Sequence, residues 1–246
     1  MVSAHSLAGF QKIHMVGAGG AGMSGLAKLL AGLGYEVTGS DLKPGRALDA
    51  LGDIGIETWI GHRPERMDTP ELVVASSAVP ATDPELVAAE RHGAVVWQRP
   101  ALLDAFTSIM PGIGVTGTHG KTTTTGLVVA AMYGVGMDPS FLVGGELVAQ
   151  NTFAHLGDRD VFVLEADEAF GTFRHLHMRG LVVTNIEADH LDYYETLAAL
   201  EEAFALVASR TDGPVVGCID DPGVQRLAQR TDIITYGVDP LSLIHI

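Results

Sequence analysis

Short apolar runs alternate with longer amphipathic stretches along most of the chain, which is typical of strands that alternate with helices. In the first half, each apolar run is bounded by glycine or polar residues and is too short for a buried helix, so it predicts a strand. The predicted strands there are 12–16, 36–39, 56–60, 72–75 and 94–97, and the predicted helices are 26–33 and 84–92. This order predicts a parallel sheet covered by helices.

The pattern restarts near residues 107–111, where a second glycine-rich turn follows a new strand. Further strands are predicted at 113–115, 161–165, 181–184 and 215–219, with helices at 122–133 and 196–208. We therefore predict two α/β domains, 1–107 and 108–246. At 246 residues the chain is long enough for two domains of ordinary size.

The first glycine-rich turn lies between the predicted strand 12–16 and its following helix. Gly17, Gly19 and Gly22 match the pattern G-x-G-x-x-G, and Asp41 follows the next strand, where an acidic residue can bind a ribose hydroxyl. The match predicts a Rossmann-like unit. Taken alone it is weak, because glycines at this point also serve a close approach of helix and strand.

The second turn, between strand 113–115 and helix 122–133, carries more specific chemistry. A glycine turn at a helix start leaves backbone N–H groups pointing one way, and the helix dipole adds positive charge, so phosphate binds there. Lys121 could reach outer phosphates and Thr122 could ligate Mg²⁺. The turn has the short G-x-x-G-K-T form rather than the full P-loop pattern, because Val115 stands where that pattern has its first glycine.

Polar residues follow the predicted strands at the carboxyl edge of each sheet, where ligands of parallel sheets bind. In the first half these are Ser40, Asp41, His62, Ser76 and Ser77. Any one of them alone would be read as a helix cap or turn residue, but together at one edge they favour a binding rim.

In the second half, acidic residues and a histidine follow two strands. Glu165 closes one strand and could hold a metal beside a nucleotide, although a solvated acidic loop is the plainer alternative. Asn185, Asp189 and His190 follow the next strand, and His190 is a candidate metal ligand rather than a plain surface histidine because of its acidic neighbours.

Composition excludes several classes of protein. The formal charge is −15, which does not favour a nucleic-acid partner or an anionic membrane. A single cysteine, Cys218, excludes an internal disulfide framework. No basic-then-apolar leader and no apolar run of membrane-spanning length is present, so we expect a soluble cytoplasmic protein.

Four segments together resemble the Mur ligase family over nearly the whole chain, from about residue 12 to 237. They are Ile13-His14-Met15-Val16-Gly17-Ala18-Gly19-Gly20-Ala21-Gly22-Met23-Ser24-Gly25, Ser76-Ser77-Ala78, Gly117-Thr118-His119-Gly120-Lys121-Thr122-Thr123-Thr124, and Thr184-Asn185-Ile186 with Asp189-His190. The resemblance implies a Rossmann-like domain that binds a UDP-sugar and a P-loop-type α/β central domain that binds ATP.

The resemblance also implies the reaction and its residues. The carboxylate of UDP-N-acetylmuramate would attack the γ-phosphate of ATP, and L-alanine would then displace phosphate from the acyl phosphate. Lys121, Glu165 and His190 would be catalytic, with Mg²⁺ held by Thr122, Glu165 and His190. The implied ATP site is Gly117, Thr118, His119, Gly120, Lys121, Thr122, Thr123 and Asn185. The implied UDP-sugar site is Gly19, Gly20, Gly22, Met23, Ser24, Ser40, Asp41, His62 and Ser76. A homodimer is the candidate assembly.

Two departures from the family pattern qualify this resemblance. Phe170 stands where the family has an acidic residue, so substrate placement there is open. The family has three domains, so residues 108–246 would be an incomplete central domain without a C-terminal domain, and the chain an inactive fragment that binds UDP-sugar. The tail Leu241–Ile246 does not align and is interpreted as a frameshift or a vector scar. Two alternatives stay open: a murein tripeptide recycling ligase and a non-catalytic UDP-sugar-binding module.

Overall fold

The computed structural model describes residues 5–238, which form two α/β units. The first unit holds the described residues up to Phe106 together with Gly144–Leu156. The second holds Thr107–Val143 and the described residues from Gly157 onward. Within residues 5–238 no helix combines the length and apolar character needed to cross a membrane. The tail Leu241–Ile246, interpreted above as a frameshift or a vector scar, lies outside the described residues.

The first unit is built on a parallel sheet of five strands in the order β3-β2-β1-β4-β5. Its strands are β1 Lys12–Val16, β2 Glu36–Asp41, β3 Glu57–Ile60, β4 Leu72–Ala75 and β5 Val95–Gln98. Its helices are α1 Ala21–Gly32, α2 Arg46–Asp53, α3 Pro84–Arg91 and α4 Arg99–Ile109, with a 3₁₀ turn at Pro64–Arg66. Strand β4 is buried along its whole length, as expected for a central parallel strand covered on both faces.

The strand order reverses direction between β1 and β4, which places a crevice at their carboxyl ends. The backbones after these two strands come close together. A Cβ added at Gly17, which has φ +80°, would lie 2.9 Å from Cβ of Ser76. The first glycine of the turn therefore lets the segment after β4 approach the segment after β1.

The second unit contains most of a seven-stranded sheet in the order β12-β11-β10-β6-β9-β7-β8. The strands of this sheet are β6 Gly112–Thr116, β7 Ser140–Leu147, β8 Thr152–His155, β9 Phe162–Glu165, β10 Met178–Val183, β11 Val215–Cys218 and β12 Ile234–Tyr236. The helices are α5 Lys121–Gly134, a 3₁₀ helix Ala169–His175, α6 Leu191–Tyr194, α7 Leu197–Arg210 and α8 Pro222–Ala228. All of β8 and the part of β7 from Gly144 onward belong to the first unit. The pairs from β12 through to β7 are parallel. The connection from β7 to β8 is too short for a crossover, so that pair is antiparallel.

Strand β6 lies at the centre of this sheet, between β9 and β10. The segments after these three strands therefore leave the same edge side by side. Beneath them, Phe141, Phe162 and Phe204 are fully buried. This layout brings together the phosphate-loop candidate after β6, the acidic segment after β9 and the segment around His190 after β10.

The structure confirms the α/β class with parallel sheets and adds elements that the pattern did not predict: α2, α4, β7, β8, α6, α8 and β12. Helix α4 runs through residues 107–109, where the pattern restarts, because Leu102, Leu103 and Phe106 are buried at helical spacing. Helix α1 begins at Ala21, earlier than predicted, and Gly22 and Gly25 lie inside it. The contiguous division into 1–107 and 108–246 stays a prediction.

Candidate functional site

The turn after β6 is shaped by two glycines that no other residue could replace without strain. Gly117 has φ +130° and Gly120 has φ +82°, both in the region that favours glycine. A Cβ at Gly117 would lie 2.1 Å from Oγ1 of Thr184 and 2.8 Å from the carbonyl oxygen of Asn185. Gly120 is the N-cap of α5, so the turn ends directly on a helix N-terminus of the kind that binds phosphate.

Residues after β10 hold this turn in place. The side-chain amide of Asn185 accepts a hydrogen bond from the His119 N–H at 2.8 Å and donates one to the His119 carbonyl at 3.0 Å. Thr184 Oγ1 donates to the same carbonyl at 2.6 Å. Oγ1 of Thr118 accepts from the backbone N–H of Glu187 at 2.9 Å. The turn is therefore fixed from outside as well as by its own glycines.

We expect Asn185→Ala to weaken binding of an ATP analogue about tenfold. The change removes both side-chain hydrogen bonds to His119, so part of the ordering of the turn must come from the ligand. Isothermal titration with a non-hydrolysable ATP analogue and Mg²⁺ measures the effect. UDP-sugar binding by the same variant is the internal control and should stay unchanged, whereas equal loss of both ligands would mean general misfolding.

Lys121, the first residue of α5, is folded back over the turn. Its ammonium donates to the Gly117 carbonyl at 2.8 Å and to both carboxylate oxygens of Glu168 at 3.0 Å. Oδ1 of Asp167 lies 3.9 Å away. The cation thus joins the turn after β6 to the acidic segment after β9.

Glu168 was not among the predicted site residues, yet it lies at the centre of this arrangement. Burial raises the pKa of its carboxyl above the usual value, against the hydrogen bonds and positive charge of Lys121. The Tyr194 hydroxyl donates to the Glu168 carbonyl at 2.6 Å, and burial raises the pKa of Tyr194 to about 12. The sequence feature that could have indicated Glu168 is its place in the acidic segment 165–168, in which only Glu165, at the end of the strand, was predicted to bind a metal.

One group of possible metal ligands lies next to Lys121. Ligand atoms of Asp167, Glu168 and His190 all lie within 4.8 Å of one another. His190 has φ +51°, and its N–H donates to Oδ1 of Asp189 at 2.7 Å. Two carboxylates with an imidazole suit a divalent cation. Their chemistry therefore fits Mg²⁺, with His190 in common with the predicted ligand set.

The other predicted metal ligands lie close by along the chain. Glu165 ends β9 and pairs in register with Val115, two residues before the turn. Thr122 is exposed in the first turn of α5, as is Thr123. Glu165 and Thr122 as ligands remain predictions, because the compact group draws its carboxylates from Asp167 and Glu168 instead.

The first unit contains a cavity of about 530 Å³ at the crevice between β1 and β4. Five of the residues predicted to bind UDP-sugar line it: Gly20, Ser40, Asp41, His62 and Ser76. Apolar walls come from Leu42, Val79 and Pro80 among others. A mostly apolar cavity with a few convergent polar groups is typical of a small-molecule site.

The remaining four predicted residues lie in the turn after β1 and in the first turn of α1. Gly19 donates its N–H to Oδ2 of Asp41 at 2.8 Å, and a Cβ there would clash with that carboxylate. Gly22 lies under the guanidinium of Arg99, 2.9 Å from where its Cβ would be. Met23 and Ser24 are buried in α1. Within the described part of the chain, these four residues do not line the cavity.

Glu85 in α3 is a second functional candidate that the sequence did not indicate. Its carboxylate is fully buried and accepts hydrogen bonds from the Ser40 hydroxyl, from Nε1 of Trp59 at 2.8 Å and from the Arg63 N–H at 3.0 Å. Burial alone would raise its pKa, but these bonds and the nearby His14, whose Nε2 lies 3.6 Å from Oε2, overcome that cost and lower the pKa to about 2. Glu85 therefore stays ionised beneath the cavity.

Comparisons with known proteins agree with this geometry in both units. The model for the Mur ligase family catalytic domain matches residues 12–109, and the model for the Mur ligase middle domain matches residues 115–244. This chain belongs to the Mur ligase family. The resemblance inferred from the four sequence segments is thereby confirmed.

Individual Mur ligases are similar along most of the chain. UDP-N-acetylmuramate--L-alanine ligase of Mycolicibacterium vanbaalenii is 47% identical over 92% of this chain and 50% of its own length. The crystal structure of the Thermotoga maritima UDP-N-acetylmuramate-alanine ligase MurC superposes with a TM-score of 0.82 at 30% identity, covering 93% of this chain and 53% of that one. The Neisseria meningitides UDP-N-acetylmuramate:L-alanyl-gamma-D-glutamyl-meso-diaminopimelate ligase gives a TM-score of 0.79 at 25% identity, covering 93% and 78%.

The chain spans about half the length of the curated Mur ligases it matches. Within that half, the structure places the predicted groups in two separate constellations, one per unit. Lys121, His190 and Asn185 gather around the turn after β6, whereas Ser40, Asp41, His62 and Ser76 face the cavity after β1. The specific role of each residue remains a prediction.

Proposed function

We propose that this chain carries the nucleotide-binding part of an ATP-dependent Mur ligase that joins L-alanine to UDP-N-acetylmuramate. The observation that carries the proposal is the Lys121 ammonium held between a glycine turn at a helix N-terminus and the Glu168–His190 pair. An arrangement of this kind suits phosphoryl transfer, where catalysis is mostly positioning and charge neutralisation. The substrates are proposed from the names of the relatives.

In this proposal the second unit binds ATP. The backbone of the turn 117–120 and the start of α5 surround the phosphates, and Lys121 exchanges its contacts with Gly117 and Glu168 for the outer phosphate oxygens. Asn185 keeps the turn in its binding conformation. Two anions, a carboxylate and a phosphate, must approach each other, so the positive charge of Lys121 lowers the barrier.

A divalent cation would complete this neutralisation. Residues able to hold Mg²⁺ are Glu168, Asp167 and His190 from the compact group, together with the predicted ligands Glu165 and Thr122. When bound, Mg²⁺ supplies charge stabilisation for the transferring phosphoryl group. His190 is oriented for ligation by its backbone, which Asp189 fixes in an unusual left-handed conformation.

The first unit is proposed to bind the UDP part of the acceptor. Its cavity of about 530 Å³ matches the size of a nucleotide site, and the Asp41 carboxylate lies where a ribose hydroxyl would donate. Oδ2 and Oδ1 of Asp41 already accept from the N–H groups of Gly19 and Lys43. These bonds fix the carboxylate and leave further lone pairs for the ligand.

Isothermal titration tests the proposal, first with UDP-N-acetylmuramate and then with a non-hydrolysable ATP analogue plus Mg²⁺. We expect both ligands to bind, each to its own unit. A folded chain that binds neither would overturn the proposal. Binding of the sugar nucleotide without the ATP analogue would instead support the non-catalytic UDP-sugar module.

A recycling ligase that accepts a tripeptide is the second candidate, because the Neisseria structure superposes almost as well as the Thermotoga one. The two candidates share the UDP-sugar and ATP sites and differ in the amine that they accept. Binding of L-alanine or of the tripeptide, titrated in the presence of UDP-N-acetylmuramate and the ATP analogue, distinguishes them. Identity of 47% to an L-alanine ligase favours the first candidate.

A further inference from the structure

The ammonium of Lys121 is the counter-charge of a buried carboxylate. Both oxygens of Glu168 accept from Nζ at 3.0 Å, and the Glu168 side chain is only 1% exposed. A buried carboxylate that loses its counter-charge is strongly destabilising. The Lys121 side chain is 17% exposed and carries its charge on a flexible stem, so it is the partner that can move. Lys121 can therefore leave Glu168 at low cost only if another cation takes its place.

The backbone around Glu168 is fixed, so its carboxylate stays in place when its partner changes. The Glu168 carbonyl accepts hydrogen bonds from the Tyr194 hydroxyl at 2.6 Å and from the Gly171 N–H at 2.9 Å. Tyr194 is itself buried, and its N–H donates to the His190 carbonyl at 3.0 Å. Tyr194 therefore holds Glu168 next to His190, whose Nε2 lies 3.8 Å from Oε1 of Glu168.

The ammonium lies against the same groups that would hold a divalent cation. Nζ of Lys121 is 3.0 Å from Glu168 and 3.9 Å from Oδ1 of Asp167, and both carboxylates belong to the compact group with His190. Mg²⁺ bound to a Glu168 oxygen at about 2.1 Å would lie within about 5 Å of an ammonium that kept its 3.0 Å contact. Two cations this close repel each other. The ammonium and the divalent cation are therefore alternative partners of Glu168.

We propose that Glu168 is a positioning residue that exchanges Lys121 for the divalent cation when phosphates at the turn 117–120 draw the ammonium away. The inference rests on the proposed function, because the nucleotide of that function supplies these phosphates. The metal alone binds weakly, since it must displace Lys121. The nucleotide alone also binds weakly, since it must deprive the buried carboxylate of its counter-charge. Each ligand therefore prepares the site for the other.

The variant Lys121→Met tests whether the ammonium keeps the metal out. The probe is Mn²⁺ alone, without nucleotide, and the electron paramagnetic resonance signal of free Mn²⁺ measures its binding. We expect Lys121→Met to bind Mn²⁺ about tenfold or more tightly than the unmodified chain, because a charge-assisted hydrogen bond no longer competes for Glu168. Arg179→Met removes an exposed positive charge from β10 and is the matched control, which should leave Mn²⁺ affinity unchanged.

A double variant separates exchange at Glu168 from a general effect of charge. Glu168→Gln and the double variant Lys121→Met with Glu168→Gln should bind Mn²⁺ equally weakly, because the carboxylate for which the two cations compete is gone. If loss of Lys121 still tightened Mn²⁺ binding without the Glu168 carboxylate, the gain would be a diffuse charge effect and the inference would be wrong. Equal Mn²⁺ affinity of Lys121→Met and the unmodified chain would also overturn it.

Glu168→Gln gives the reciprocal test with the nucleotide. Without metal, in EDTA, it should bind the non-hydrolysable ATP analogue about tenfold more tightly than the unmodified chain, because Lys121 is released. Added Mg²⁺ should then improve its affinity less than it does for the unmodified chain.

Asp232→Asn, which removes an exposed carboxylate from the same unit, is the control that should keep both values. If Glu168→Gln weakens analogue binding equally with and without metal, Glu168 is merely structural and the inference is wrong. If Lys121→Met does not fold, this comparison decides. If the unmodified, folded chain does not bind the analogue, the proposed function fails, and the Mn²⁺ titrations still test the exchange.

Discussion

Replacement of Gly117 by alanine is expected to abolish binding of an ATP analogue and to lower the free energy of unfolding by about 2–6 kcal/mol. The residue has φ +130°, where a side chain is strained, and its new Cβ would lie 2.1 Å from Thr184 Oγ1 and 2.8 Å from the Asn185 carbonyl oxygen. The backbone atoms cannot yield without moving the turn itself. Isothermal titration and urea unfolding followed by circular dichroism measure the two effects.

Gly134→Ala is the matched control in the same unit. It lies at the other end of α5, where an added Cβ meets nothing within 4 Å. We expect it to keep ATP-analogue affinity and stability, because alanine is a better helix former than glycine. If Gly117→Ala bound the analogue as well as Gly134→Ala, the turn after β6 could not be the phosphate site.

The second large effect is expected at Glu85 and depends on pH. The folded pKa of about 2 lies below the ordinary value of 4.5, so the ionised carboxylate stabilises the folded first unit. That stabilisation is fully present above about pH 4.5 and is lost as the pH falls through 2. A shift of this size corresponds to about 3 kcal/mol. Glu85→Gln should therefore destabilise the unit at pH 7 and flatten its acid dependence.

Tryptophan fluorescence provides the measurement, because both tryptophans, Trp59 and Trp97, lie in the first unit. Urea unfolding of the unmodified chain and of Glu85→Gln, from pH 7 to 2, gives the difference in unfolding free energy at each pH. Glu90→Gln, an exposed position on the same helix, is the control that should follow the unmodified chain. A difference that does not change with pH would contradict the ionised, hydrogen-bonded state of Glu85.

Much of the architecture could be predicted from the sequence because periodicity and turn chemistry acted together. The strand–glycine–helix order around Gly117 and Gly120 predicted a turn between a buried strand and a helix, and β6 and α5 are those elements. Five edge residues were predicted to share a rim, and four of them, Ser40, Asp41, His62 and Ser76, line one cavity, whereas Ser77 is not among its lining residues. In the second case the reason is that carboxyl ends of parallel strands meet at one edge.

The partners of these groups could not be predicted in the same way. Glu85 lies in a helix with an ordinary charged sequence, and its burial depends on Trp59 and Arg63 from β3 and the segment after it. In the sequence, Glu168 is one of several acidic residues, and nothing there predicts its contacts with Lys121 and Tyr194. Long-range pairs of this kind depend on tertiary contacts, and the local periodicity of the sequence does not predict such contacts.

The assignment of Gly144–Leu156 to the first unit has a consequence for the order of folding during synthesis. In α1, a Cβ at Gly32 would lie 2.9 Å from Leu156, and Lys28 lies 4.9 Å from the ring centroid of Phe153, so this segment packs on the first unit's helix. The ribosome makes Phe106 well before it makes Leu156. At about 5–20 residues per second, the fifty residues between them take roughly 3–10 s. Nascent chains must therefore hold an unfinished first unit while the strands of the second are already emerging.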